Sequence, residues 1–273
     1  MTFDAREKSF NAGKPFNAAL FSVGTYSLRV CAADSPRTFG GNTYAPWPIE
    51  FPKIVQASEL NRNDLTLRVP PTFPIAQLWL AAPPASTMLC ILYDAHQGET
   101  ESRNAWTGHV ANVSWPAPAK AEILLASGMN AMKGVGLHRV VQRHCNHSIY
   151  SPDCGVVLGA KATAGTVDAI GGNWVEASEF SSKPNGWFDG GILQWTSAEG
   201  IPDWRMVKTH VGARLTLAWP AGRLPVAAAI TAHAGCNFTP DHCGPKFNNL
   251  ANNGGLWHFK PKNPFDGMQA PVY

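Results

Sequence analysis

The chain has 273 residues, of which 45% are hydrophobic and 15% are charged, and its formal net charge is +3. This length suits one large domain or two modest ones with a buried core. No apolar run is long enough to cross a bilayer, and no basic run is long enough to indicate specific nucleic-acid binding, so we expect neither stable membrane insertion nor a nucleic-acid partner.

The first residues, MTFDAREKSFNAGKPF, lack the apolar core of a secretory signal peptide. We therefore expect the chain to fold in a cytoplasm, where thiols stay reduced and disulfides are rare.

The 15% charged content is low, because ordinary soluble domains have about 25%, and the chain also has 10 Trp. Few charges together with many aromatic residues are typical of a surface covered by partner proteins. A Trp-rich β protein that carries little charge has the same composition, so both interpretations stay open.

The first half of the chain has the pattern of a β protein. Tyr26, Leu28 and Val30 alternate with polar residues and predict a half-buried strand, with Cys31 opposite its apolar face. The Gly-Gly-Asn turn at 40–42 favours a hairpin. Further strands are predicted in DLTLRVP, MLCILYDAH, WTGHVANVSW and AEILLASG.

One short helix is predicted after Pro74, because Ile75, Leu78 and Trp79 have helical spacing. Six to eight strands with a single helix indicate a β-barrel or sandwich, which we assign to residues 1–128. Cys90 lies in an apolar strand, where a cysteine is usually a small buried hydrophobe.

Residues 129–273 predict a smaller, β-rich C-terminal domain, although the two halves can interleave. Residues 129–144 lead to a first pair of cysteines, and strand patterns resume after Cys154. A second pair follows these strands. The end of the chain, PKFNNLANNGGLWHFKP, has too much Asn and Gly for a regular element. It is predicted to be an ordered loop that closes over the cysteines, followed by a loose tail.

The two cysteine pairs are the most informative feature of the sequence. Cys145 and Cys154 lie in HCNHSIYSPDCGV, and Cys236 and Cys243 lie in AGCNFTPDHCG, about eighty residues further on. Four thiols in two polar, turn-rich loops can form two disulfides, a zinc site or an iron–sulfur site. A reducing compartment favours a metal.

Spacing does not identify the metal. The cysteines of a zinc knuckle usually have two to four residues between them, whereas the gaps here are eight and six, and neither gap matches the ferredoxin patterns. His144, His147 and His242 can substitute as ligands, but a solvated loop histidine is the simpler interpretation of each. Two local disulfides, Cys145–Cys154 and Cys236–Cys243, stay an alternative.

No catalytic site is predicted. The sequence lacks the GxSxG, HExxH and P-loop motifs, Cys31 has no nearby histidine, and Cys90 lies in an apolar strand. Asp153 and Asp241 lie in Ser-Pro-Asp and Thr-Pro-Asp, which are good turn sequences. We therefore expect a non-enzymatic protein.

The chain resembles, over nearly its full length, the minor tail proteins of long-tailed phages (siphophages), namely the lambda-type minor tail protein L and the hub protein of gene-transfer agents. The resemblance is carried by AREKSFNAGKPFNAALFSVG, GGNTYAPWPIEFPKI, LTLRVP and WTGHV in the first half. In the second half it is carried by HCNHSIYSPDCGV, WFDGGILQW and AGCNFTPDHCGPKFNNLANNGG. The cysteine-bearing stretches are its most specific part.

The resemblance implies a tail-tip or baseplate hub in the virion, assembled in the bacterial cytoplasm. It implies a trimeric, β-rich ring that joins the distal tail protein to the tip or central fibre protein, with the tape measure protein as a further candidate partner. It also implies a [4Fe–4S] cluster. Carried over onto this sequence, the ligands are Cys145, Cys154, Cys236 and Cys243, with zinc as the alternative metal.

Two other functions stay open at this point. Tail tips often carry a cell-wall hydrolase, which would need a nucleophile near a histidine and away from the cysteine loops. The third interpretation is a module that is cross-linked by zinc and binds surface sugars through exposed Trp.

Overall fold

A computed structural model of the chain describes residues 3–9, 13–54, 64–128 and 141–258. These residues form two compact units. The first unit takes its residues from 1–134 and 196–203, and the second takes them from 135–195 and 204–273. Residues 129–140 of the predicted approach to the first cysteine pair lie outside the described residues.

The first unit is built on one eight-stranded sheet with two helices. Its strand order is β3-β4-β2-β1-β6-β7-β8-β5, and all pairs are antiparallel except β2 with β4. The elements are α1 (Phe3–Glu7), β1 (Pro15–Val23), β2 (Tyr26–Cys31), β3 (Arg37–Phe39), β4 (Asn42–Pro46), β5 (Leu65–Val69), α2 (Pro74–Ala81), β6 (Leu89–His96), β7 (Ser102–Ala117) and β8 (Lys120–Ser127).

The predicted helix is confirmed as α2. Pro74 occupies its first turn, where the missing N–H costs no hydrogen bond. Ile75 and Leu78 are buried in the main core of the unit, and Trp79 packs against that core.

Two local features differ from a simple alternating pattern. A β-bulge between Val110 and Asn112 shifts the register of β7, so Val113 returns to the core face that Val110 occupies. Cys31 lies opposite the main core and is nevertheless fully buried, because a second cluster that includes Phe39 and Tyr44 covers that face.

The second unit is built on a seven-stranded sheet of order β10-β11-β14-β13-β12-β15-β9. Its core is centred on Phe180, Phe188 and Leu193, which are all fully buried. The strands are β9 (Ala162–Thr166), β10 (Ala169–Gly171), β11 (Trp174–Glu176), β12 (Ile192–Thr196), β13 (Pro202–Val211), β14 (Arg214–Leu217) and β15 (Ala229–His233). The unit also has α3 (Pro240–Phe247) and short 3-10 helices at Leu158–Lys161, Ser178–Ser182 and Leu250–Asn252.

The prediction of a mainly β fold is therefore confirmed. None of the helices in the part of the chain described by the structure has both the length and the apolar character to span a membrane.

A close approach of two backbone segments determines where the second cysteine pair lies. Ile192 at the start of β12 pairs with His233 at the end of β15. Just beyond, Gly191 and Gly235 lie so close to the opposite segment that an added Cβ would overlap its backbone atoms. The glycines are needed for this contact, which fixes the chain immediately before Cys236.

Candidate four-cysteine site

All four cysteines lie in the second unit. Cys145 and Cys154 are in the irregular segment before the first 3-10 helix, Cys236 directly follows β15, and Cys243 lies inside α3. The prediction that the second pair lies in a turn-rich loop is therefore wrong for Cys243. Thr-Pro-Asp starts a helix here, since Pro240 lies at its beginning, and Asn248 ends the helix in the left-handed conformation.

The four thiols interact electrostatically across the two segments. Burial raises the pKa of Cys236 and of Cys243, and the other cysteines add to both shifts: Cys145 and Cys154 raise the pKa of each of the two. The backbone also joins the segments, because the Cys145 N–H donates to the Phe238 carbonyl at 2.8 Å. The fold thus brings the two distant pairs together.

All six cysteines of the chain are free thiols in the structure. No disulfide joins Cys145 to Cys154 or Cys236 to Cys243 there.

Hydrogen bonds converge on the sulfur atoms. In both segments the N–H two residues after the first cysteine donates to its sulfur: His147 N lies 3.5 Å from Cys145 Sγ, and Phe238 N lies 3.3 Å from Cys236 Sγ. Each of these cysteines is followed by Asn, so the same short turn begins both segments. At Cys236 this hydrogen bond favours the thiolate, the form that binds metals, but burial has the larger effect and raises the pKa of the thiol.

Residues 249–256, called the strap from here on, lie against both segments. Gly254 N donates to Cys145 Sγ at 3.2 Å, and the side-chain amide of Asn249 donates to the Cys154 carbonyl at 2.6 Å. The Cys243 thiol donates to the Asn249 carbonyl at 3.3 Å. The segment closes over the cysteines as predicted, but the prediction that it has no regular element is wrong, because residues 245–247 belong to α3 and Leu250–Asn252 form a 3-10 helix. Residues 259–273, which include the predicted loose tail, lie outside the described residues.

Tyr150, in the first cysteine segment, contacts the end of β15. Its hydroxyl donates to the Ala234 carbonyl at 2.5 Å, and its ring contacts that of His233. Burial raises the pKa of Tyr150, and the nearby Cys154 and Cys236 raise it further. The neutral phenol therefore acts here as a fixed hydrogen-bond donor.

Lys246 is a charged residue near the site that the sequence did not single out. It is buried in α3, and its ammonium donates to the carbonyls of Trp187 and Gly235. One signal was available in the sequence: a lysine three residues after Cys243, in a chain with unusually few charges.

Two of the three predicted substitute ligands, His147 and His242, have hydrogen-bond partners on the backbone. His147 Nδ1 donates to the Asn252 carbonyl at 3.0 Å, and His242 Nδ1 accepts the Asn237 N–H at 3.1 Å. His144 is exposed and lines an open cleft of about 330 Å³ with Asp241 and Trp257.

Across the described residues, no group of three or more His, Cys, Asp or Glu side chains is placed to hold a metal ion. A single zinc ion bound by four thiolates would bring their sulfur atoms to about 3.8 Å from one another, because each Zn–S bond is about 2.3 Å long. The metal-ligand role of Cys145, Cys154, Cys236 and Cys243 thus stays a prediction.

Neither remaining cysteine has the surroundings of a nucleophile. Cys90 is fully buried in the core of the first unit, and burial raises the pKa of its thiol. Cys31 is also fully buried, and burial raises its pKa despite the nearby Arg37. A reactive cysteine needs a lowered pKa and access to solvent.

Comparisons with known proteins find similarity to a phage protein family and to a chain of a phage-like particle. A family model described as "Phage conserved hypothetical protein BR0599" matches residues 186–263, which include the second cysteine pair. A chain in the solved structure "Virion of native gene transfer agent (GTA) particle" has a TM-score of 0.81 and 18% identity, over 99% of this chain and 96% of that one. At this identity the likeness establishes the fold. No curated protein matches the chain.

Proposed function

We propose that this chain is a structural protein of a phage or phage-like tail tip, a baseplate hub. The observation that carries the proposal is the fold shared with a chain of a gene-transfer-agent virion over 99% of the sequence. The phage family model that matches residues 186–263 supports it independently. So does the low charge, because a hub is covered by neighbours on both sides.

The proposed partners follow from the resemblance seen in the sequence. The chain would assemble as a homotrimer between the distal tail protein and the tip or central fibre protein, with the tape measure protein nearby. Its proposed location is the end of the tail, after assembly in the bacterial cytoplasm.

We further propose that Cys145, Cys154, Cys236 and Cys243 hold a [4Fe–4S] cluster. Four free, mutually interacting thiols with N–H donors on three of the four sulfur atoms suit an anionic metal group. A cluster separates its thiolates more widely than a single zinc ion does, because its irons and sulfides lie between them.

The proposed role of the bound cluster is a structural cross-link. It would tie the segment that contains Cys145 and Cys154 to the one that contains Cys236 and Cys243, which are far apart in sequence. Binding energy then contributes to folding, as in other structural metal sites.

The hub assignment is tested on particles made by a host that carries the gene. Particles are purified by density gradient, analysed by mass spectrometry and labelled with a gold-conjugated antibody against this chain. We expect the chain in the particles and the gold at the tail end, and we expect deletion of the gene to leave heads without finished tails. Absence of the chain from purified particles would refute the assignment.

The cluster is tested by metal analysis of protein purified without oxygen. Wild type is expected to contain about four irons and four sulfides per chain. Cys145→Ser should lose them and reduce the soluble yield, whereas Cys90→Ala, which removes a buried thiol elsewhere, should keep them. About one zinc per chain would retain the cross-link with a different metal. Protein without metal, or Cys145→Ser with full iron content, would refute the cluster.

A further inference from the structure

An open cleft of about 330 Å³ lies in the second unit. Three stretches of chain contribute to its walls, and two of them lead into the cysteine segments. The lining residues are Arg143, His144, Thr239, Pro240, Asp241 and Trp257. This set includes neither a cysteine nor a residue of the strap, so the cleft is distinct from the four-cysteine site.

Backbone hydrogen bonds hold the three stretches together. The Cys145 N–H donates to the Phe238 carbonyl at 2.8 Å and joins the first stretch to the second. The Leu256 N–H donates to the Gln142 carbonyl at 2.9 Å and joins the third stretch to the first. The cleft is therefore formed before any ligand arrives, as is usual for sites that bind small molecules.

Two opposite charges line the cleft without neutralising each other. Arg143 and Asp241 are both exposed, and neither forms an ion pair with any residue in the described part of the chain. An anion would be repelled by Asp241, and a cation would be repelled by Arg143. Hydroxyl groups suit both side chains, because a hydroxyl can accept from a guanidinium and donate to a carboxylate.

Trp257 adds an apolar surface to the cleft. Its side chain is 45% exposed, and its ring lies 4.0 Å from that of His258, centre to centre. The Thr239 hydroxyl donates to Asn237 Oδ1 at 2.8 Å, which leaves its oxygen able to accept a further hydrogen bond. A pyranose sugar matches this arrangement, since it has C–H groups on the faces of its ring and hydroxyl groups around the rim.

Simpler explanations cover the residues one at a time. Asp241 lies in the first turn of α3, where the helix dipole favours an acidic residue. A single exposed Trp is ordinary on a protein surface. Neither explanation accounts for an unpaired arginine, an unpaired aspartate and an exposed indole in one preformed cleft.

We infer that this cleft binds one hexopyranose unit of an oligosaccharide. The indole of Trp257 lies against a C–H face of the sugar, while Arg143 and Asp241 bind its hydroxyl groups. The sequence left sugar binding through exposed Trp open, and the cleft gives that activity a location. Sugar binding goes beyond the proposed structural role and requires neither the hub assembly nor the cluster.

The test is a titration of the full chain with the methyl α- and β-glycosides of glucose, galactose, mannose and N-acetylglucosamine, each up to about 50 mM. A methyl glycoside represents one sugar unit of a longer chain. Binding is followed by the ¹H–¹⁵N signals of the ten Trp indoles, and the signal that is missing in Trp257→Phe belongs to Trp257. Inorganic phosphate is titrated in parallel as the probe for an anion site.

We expect at least one glycoside to shift the Trp257 signal and to bind with a Kd of about 1–10 mM, as suits a ligand of this size. Trp257→Ala should weaken binding about tenfold or more, because the apolar surface is lost. Asp241→Asn and Arg143→Gln should each weaken it about three- to tenfold, because hydrogen bonds to a charged group are stronger than neutral ones.

Two matched controls lie outside the cleft. Trp219→Ala removes an indole that is 73% exposed. Asp153→Asn changes the exposed aspartate of the other Pro-Asp sequence that precedes a cysteine. Both variants should bind the glycoside within about twofold of wild type, as distant surface substitutions usually do.

Absence of binding by every glycoside would overturn the inference, and so would binding that Trp257→Ala leaves unchanged. A Trp257 signal that responds to phosphate and to no glycoside would also overturn it, because the cleft would then be an anion site. The wild-type signal of Trp257 gives the answer even where a variant fails to fold. Each of these outcomes leaves the hub and the cluster standing, because particle analysis and metal analysis test those separately.

Discussion

His233 is a buried residue whose protonation is linked to the stability of the second unit. It is 3% exposed at the end of β15. Nδ1 lies 2.8 Å from the Leu158 carbonyl oxygen, and Nε2 lies 2.8 Å from Gln194 Oε1. Burial lowers its pKa from 6.5, although the bond to Leu158 opposes that shift.

The sign of the pH dependence follows from this lowered pKa. As the pH falls below about 6.5, the unfolded chain binds a proton at His233 before the folded chain does, so the free energy of unfolding decreases. His233→Gln removes this contribution and should flatten the decrease, by at most about 1.4 kcal/mol per pH unit. Urea unfolding of both proteins between pH 7 and pH 5 measures how steeply the free energy of unfolding decreases. His109→Gln, a change in the first unit, is the control, and an equal flattening there would contradict the prediction.

At the scale of residues, the sequence identified the four candidate cysteines but not most of the side chains that surround them. The four cysteines stand out because thiols are few and chemically distinct. Lys246 and Tyr150 do not stand out, since their role depends on which carbonyls the folded backbone places beside them. Gly235 and Ala234 supply those carbonyls only after β15 has paired in its sheet.

Among the elements, the strap supplies one of the hydrogen bonds to Cys145. An added Cβ at Gly254 would lie 2.6 Å from His147 Nε2, so Gly254→Ala should displace the strap and break the N–H bond to Cys145 Sγ. Loss of such a supporting bond typically weakens metal binding about 10- to 100-fold. Competition with an iron chelator, in protein that holds the cluster, measures the change.

Gly244→Ala is the matched control for the strap. Gly244 lies in α3 next to Cys243, and an added Cβ there meets nothing within 4 Å. We expect this variant to keep its metal and to be as stable as wild type or more so, by up to about 1 kcal/mol, because Ala favours the helix. Equal metal retention in Gly254→Ala and Gly244→Ala would show that the strap does not support the site.

The elements of this chain were predictable where the pattern is local. The helix α2 follows from Pro74 and three apolar residues at helical spacing. The return of Val113 to the core of the first unit was not predictable in this way, because the bulge in β7 depends on its register with β8. The helix α3 was missed because Thr-Pro-Asp begins helices and turns alike, and only the residues that follow decide between them.

At the scale of the whole molecule, residues 196–203 belong to the first unit although the residues on both sides of them belong to the second. Ile201 is fully buried in the core of the first unit. Asp203 Oδ1 accepts the Ala85 N–H at 2.9 Å, and the Ser86 hydroxyl donates to the Pro202 carbonyl at 2.6 Å. The sequence suggested that the halves can interleave, but no local pattern identified this segment, because Ile201 is an isolated apolar residue between turn residues.

The first unit should therefore depend on residues far from it in sequence. We expect Ile201→Ala to destabilise the first unit by about 2–5 kcal/mol, the usual cost of a large cavity in a core. Val226→Ala, at a residue that is 57% exposed, should change stability by less than about 0.5 kcal/mol. Hydrogen exchange of the β1 and β6 amides reports on the first unit alone, so a loss of stability in the second unit would not be mistaken for this effect.

A fragment of residues 1–134 tests the same dependence without any substitution. It lacks Ile201 and the hydrogen bonds of Pro202 and Asp203, so its β1 and β6 amides should exchange much faster than in the full chain, and the exposed core should make the fragment prone to aggregate. A soluble fragment with the protection of the full chain would mean that residues 196–203 contribute no stability to the first unit. The cavity expected from Ile201→Ala should then have no measurable cost either.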